Sequence, residues 1–183
     1  MGSVRYSLML ALVAGLGLIS APARQQAASH DGGGWQTIAW PFPRDAWPAG
    51  RAYRCPATRC GSDVEVYIRP KIGFCSNCAT GVADDDEVDR VTDLDLISTR
   101  FSPMAEGAAI QVADLKGRAR NYQLTKADGS VRAAEGIALS QSCDLIVAVV
   151  VGDASSHTAQ DAVRELLSEA VTTWVRDILE GRG

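Results

Sequence analysis

The chain has 183 residues, of which 46% are hydrophobic and 22% charged, with 18 Lys and Arg against 22 Asp and Glu for a net charge of −4. A mildly acidic balance of this kind argues against nucleic acid or an anionic membrane surface as the partner. The chain shows neither an internal repeat nor, beyond its first segment, a low-complexity tract.

Residues 1–23 have the three parts of a secretory signal peptide: Arg5 as the positive start, an uncharged apolar run from Ser7 to Ser20, and small residues at Ala21-Pro22-Ala23. As a helix, that run of 14 residues rises only about 21 Å, short of the ~30 Å hydrocarbon core of a bilayer. Cleavage after Ala23 and a periplasmic or secreted protein are therefore expected, with no transmembrane segment in the mature chain. Removing Arg5 leaves 17 basic against 22 acidic residues, a net charge of −5. Residues 24–34, nearly devoid of apolar side chains and ending in three glycines, read as a flexible linker. Residues 35–183 are then the length of one domain, able to bury a core of its own.

Trp35, Trp40, Phe42 and Trp47 stand among Pro41, Pro43 and Pro48, which keep the segment out of helix. A strand and loop whose aromatics cap the core is the plain reading; an aromatic surface for a partner is the functional one, with Trp40, Phe42 and Trp47 as its residues. Next come Cys55, Cys60, Cys75 and Cys78, within a lobe at 53–80. Two such pairs could hold zinc as four thiolates, could form two disulfides, or could do redox work through Cys75 and Cys78. Export favours disulfides, although spacing alone does not choose among pairings. Cys143, beside an apolar run, reads as a free core thiol. Between the cysteine pairs, Val64, Val66 and Ile68 alternate with polar residues as a half-buried strand does.

From Asp84 to Asp95 there are seven acids in twelve residues. Asp84 and Glu87 have the form of a capping box, and acids in a first turn suit the positive end of a helix dipole, so a short helix lined by Val88, Val91 and Leu94 is expected. Asp84, Asp85 and Asp86 are candidates for partner binding. The EF-hand pattern fails for want of its glycine. Strands are predicted at 109–113 and 118–124, then a hairpin at Asp128-Gly129, a return strand at 130–139 and a strand at 143–151 buried on both faces. Lys116, Arg118 and Arg120 would make a basic stripe on one strand face, either solvated or meeting the acidic segment. The last element is a helix of about six turns carrying Leu166, Leu167, Val171, Trp174 and Ile178, capped by Ser156 or Thr158. The whole predicts an α+β domain: an antiparallel sheet packed against a long C-terminal amphipathic helix, with a small cysteine-stapled lobe.

Gly117 to Tyr122, the Asp-Gly hairpin, the apolar strand at 145–151, the terminal helix with Trp174 and the early Pro41-Phe42-Pro43…Trp47-Pro48 are arranged in an order that resembles PsbP-like domains, from Thr37 to Leu179. The cysteine lobe between Tyr53 and Thr80 has no counterpart in that pattern. The resemblance implies a non-enzymatic accessory or partner-binding role, with a protein partner. Nothing in the residues asks for an enzyme: there is no G-x-S-x-G elbow, H-E-x-x-H or P-loop, and the two histidines are His30 in the linker and His157 at a helix start. No catalytic residue is assigned and no cofactor is expected, zinc at the four cysteines being the alternative. The opposing function is a thiol-based metal-binding or redox protein.

Overall fold

The computed structural model describes residues 34–43, 45–73, 82 and 84–181. Its strands are β1 (Gln36–Ile38), β2 (Arg51–Cys55), β3 (Val64–Lys71), β4 (Phe101–Pro103), β5 (Ala108–Val112), β6 (Leu115–Thr125), β7 (Val131–Gln141) and β8 (Asp144–Val151). They form one sheet in the order β1-β2-β3-β8-β7-β6-β4, with β5 on β6, and every pairing among the described residues is antiparallel. The α+β class is as expected.

Burial explains this order. From Leu145 to Val151 no residue of β8 is more than 2% exposed, so the strand lies inside the sheet and is covered on both faces. One face carries Val64, Val66, Ile68, Ile137, Ile146, Ala148 and Val150 under the C-terminal helical segment. That segment comprises α4 (His157–Ala170), a π-helical stretch at Val171–Val175, and α5 (Arg176–Leu179). Ser156 caps α4 by accepting the Ala159 N–H at 3.2 Å. In the π stretch, the hydroxyls of Thr172 and Thr173 donate to the carbonyls of Ser168 and Glu169, offering that backbone side-chain donors in place of a regular ladder. Leu166, Leu167, Val171 and Trp174 all join the core of this face, and Ile178 packs against it.

The opposite face is covered by α2 (Asp85–Val91) and α3 (Leu94–Ile97). Asp84 caps α2 through the Glu87 N–H at 2.9 Å. Val88, Val91 and Leu94 are fully buried, as the spacing predicts, although the helix breaks at Thr92, where the backbone turns extended. The hairpin between β6 and β7 closes where Lys126 N–H meets the Ser130 carbonyl at 2.8 Å, with Gly129 at φ 82°. The residues that sequence reasoning left outside strands, in β2 and β4, gain their conformation from long-range pairing with β3 and β6.

A buried ionic cluster joins α2, α3 and β3. Arg69, Lys71 and Asp93 are 3%, 6% and 7% exposed. Arg69 clasps Asp93 with Nη2 and Nε at 2.6 and 2.9 Å, while Lys71 Nζ donates to the Val91 carbonyl at 2.7 Å and pairs with Asp93 at 2.9 Å. Asp45 takes the other Arg69 nitrogen at 2.5 Å and so ties down the loop after β1.

One expectation is corrected here. Cys55 and Cys60 are bonded to each other, but Cys143 is also in a disulfide and is not a free core thiol. It sits half-buried at the turn between β7 and β8, not in the core. The chain leaving β3 is held there, since Asp144 accepts the Gly73 N–H at 2.7 Å. Cys75 and Cys78, with the end of the predicted lobe at 74–80, lie outside the described residues, as do the predicted signal peptide at 1–23 and all but Gly34 of the linker.

Two measurements check this account. Non-reducing peptide mapping should recover a Cys55–Cys60 peptide and a second bridge joining Cys143 to a cysteine of the 75–78 segment; a free Cys143 overturns it. Asp93→Ala should lower stability by about 3–5 kcal/mol in urea unfolding, because it leaves two buried cations without their shared anion.

Candidate functional site

The predicted site residues do not come together. Trp40 and Phe42 pack with Tyr67 of β3, ring centroids 4.9 to 6.3 Å apart, and the Trp47 ring lies 5.9 Å from Lys71 Nζ. This aromatic segment covers the face of β3 opposite the C-terminal helix, which is the capping reading. The acids also act within the fold. Asp84 is a helix cap, Asp85 accepts the Gly107 N–H at 2.9 Å and pairs with Arg118, and Asp86 is exposed. Asp89 takes Arg120 at 2.8 Å and the Tyr122 hydroxyl at 2.5 Å. The stripe of Arg118 and Arg120 thus meets the acidic segment, while Lys116 stays exposed. The Gly107 N–H, followed by the Arg118 guanidinium, holds the Asp85 carboxyl below its ordinary range.

A different place has the form of a binding site. Between α4, β5 and the β6-β7-β8 part of the sheet lies a cleft of about 780 Å³. That is the size of sites that take small organic molecules. Its position follows from the fold: it lies over the face of β7 and β8, bounded by β5, by Met104 and Ala105 after β4, and by α4. Gly152, at φ 125°, ends β8 and turns the chain at the rim toward the cap of α4. The cleft floor is apolar, built from Ile137, Val150, Val163 and Leu167, all buried.

Into this floor β7 places Glu135. Residues of β7 alternate between faces, and Glu135 falls in register with Ile137 and Leu139, which face the C-terminal helical segment. It is half-buried, opposite Asn121 on β6 and Val150 on β8. Among the described residues it has no hydrogen-bonding or ionic partner. The other charged groups on the cleft wall are engaged: Asp153 accepts the Ser155 N–H at 3.0 Å, and Arg164 pairs with Asp161 at 3.2 Å. Burial alone lifts the Glu135 carboxyl above its ordinary value of 4.5. Sequence reasoning passed over this residue. The signal that could have found it is its phase: a glutamate at the parity of Ile137 and Leu139.

The thiol site has a structural setting on the described side. Cys55 and Cys60 are buried in the core beside Val64, where α1 (Ala57–Cys60) turns back to β3, and bonded to each other they carry no thiolate. Among the described residues there is no group of three or more His, Cys, Asp or Glu that could hold a metal ion, and no helix is long and apolar enough to cross a membrane.

No family model and no curated protein sequence matches the chain. Among solved structures, a Pseudomonas aeruginosa protein of unknown function, described as a candidate regulator, is similar at 14% identity and a TM-score of 0.44, over 74% of this chain and 95% of that one. So loose a superposition carries no argument about activity.

The unpartnered carboxylate makes a stability prediction whose sign is fixed. The unfolded chain releases the proton at the ordinary value, whereas the folded chain holds it to higher pH, so the folded state is penalised as pH rises through the raised value. Glu135→Gln should therefore raise the melting temperature at pH 7.5, with the gain shrinking toward pH 4. A destabilised variant at neutral pH would mean that Glu135 has a structural partner.

Proposed function

We propose that this chain is an exported, non-enzymatic accessory protein that works by binding, and that the cleft between α4 and the sheet is where it binds a small, largely apolar ligand. The observation that carries this reading is the cleft itself: about 780 Å³ with an apolar floor and one carboxylate that the fold does not use. The candidate surfaces at Trp40, Phe42 and Trp47 and at Asp84–Asp86 are largely engaged within the fold, which moves the binding role to the cleft. In the same reading the helical run from His157 to Leu179 acts as one long amphipathic helix, forming a wall of the site. The disulfides, one between Cys55 and Cys60 and one at Cys143, suit an oxidising compartment. The PsbP-like order of elements agrees with a binding module that hands its state to a protein partner.

Two results test it. Protein recovered from the periplasm should begin at Arg24 on N-terminal sequencing; retention of Met1 in a membrane pellet overturns export. The neutral probe N-phenyl-1-naphthylamine should bind one-to-one with enhanced fluorescence. Ala133→Trp, at an exposed position of the cleft wall, should abolish that binding in a folded protein. No saturable binding, or unchanged binding in that variant, overturns the cleft as the site.

A further inference from the structure

The cleft fixes the chemical class of what enters it. From the geometry we infer that the ligand is a small organic cation, a protonated amine on an apolar body, whose ammonium group pairs with Glu135. The inference rests on the cleft being the binding site. Three observations carry it. First, Glu135 is the one charged cleft side chain set on the floor beside Ile137 and Val150, and among the described residues nothing neutralises it. A carboxylate taken part-way out of water without a partner is held at a cost that an incoming cation would offset. Second, the cation of the cleft wall, Arg164, is exposed and pairs with Asp161, and among the described residues no contact joins it to Glu135. Third, the remaining acid of the wall, Asp153, adds to the negative field at the end of the cleft near Gly152 while its own carboxylate is fixed by Ser155.

The surroundings of Glu135 limit the shape of the ligand. Ile137, Val150, Val163 and Leu167 extend the floor from the carboxylate toward α4, so the apolar body lies along the helix and the ammonium sits at the β6-β7 side. Asn121, the register partner of Glu135, is exposed on that side and supplies an amide within the same wall. An ammonium has three donors; the carboxylate and this amide oxygen offer acceptors, with solvent for the third.

The experiment compares three probes of one shape by calorimetry on the intact exported protein: 4-phenylbutylamine, 4-phenyl-1-butanol and 4-phenylbutanoate. The ammonium should bind about tenfold or more tightly than the alcohol, as a hydrogen bond to a charged group exceeds a neutral one, with the carboxylate weakest. In Glu135→Gln the amine and the alcohol should bind within about twofold of each other, while alcohol affinity is retained, which shows the cleft still formed. Equal affinities of amine and alcohol in the wild type, or an amine preference that survives Glu135→Gln, overturn the inference. If the naphthylamine probe still saturates the cleft in that event, the binding-site reading stands and the cation class alone falls. If neither that probe nor any of the three binds, both fall together.

Discussion

The central strand has no polar face, and the rest of the molecule answers to that. Leu145 to Val151 cannot meet water on either side, so the sheet requires cover twice over. The C-terminal helical segment supplies one layer. The other is assembled from short pieces, α2, α3 and the aromatic segment around Trp40, none of which could be stable alone. Short elements need to be anchored, and on this face the anchors are charged: Arg69 and Lys71 reach from β3 to Asp93 and Asp45, while Arg118 and Arg120 reach from β6 to Asp85 and Asp89. The acidic run between Asp84 and Asp95 is thus the complement of two basic strand faces. Clustered acids look like a docking surface in one dimension and become a fastening in three.

What could be read from the sequence is what local physics decides. The Asp84–Glu87 cap, the Asp128-Gly129 turn, the alternation of Val64, Val66 and Ile68 and the three- and four-residue steps after Ser156 each depend on residues within one element, and each is found where its pattern lies. What could not be read depends on partners far along the chain. β2 has an arginine at each polar position and no strong strand signal; it becomes a strand because β3 lies beside it, with Arg54 meeting Asp63 at 2.8 Å. Cys143 followed the rule for thiols next to apolar strands, but the strand begins one residue later, which leaves the sulfur at a turn and free to bond. Spacing shows that cysteines exist in pairs and says nothing of which ends the fold brings together.

The cleft belongs to the same lesson in a sharper form. No single segment contains it: β5, β6, β7, β8 and α4 each contribute a wall or a floor residue. Two short strands, β4 and β5, share the edge of β6, and the cleft lies over the sheet face between them and α4. Composition and motif searches respond to residues adjacent in sequence, and a cleft walled by five separate elements is invisible to them.

Glu135 still left a trace, because strand parity is local. Ala133, Glu135, Ile137 and Leu139 share one face of β7, and a carboxylate at that phase is an inconsistency between pattern and burial. On the opposite face of the sheet, Asp85, Asp89 and Asp93 each meet an arginine. The fold pairs these three acids and leaves Glu135 facing an apolar cleft, while Lys116 stands exposed on the surface. Stability alone would favour an apolar residue or a partner at this position. The site that departs from local consistency without a structural return is where a fold is expected to carry its function, and here the departure is a negative charge at the head of an apolar groove.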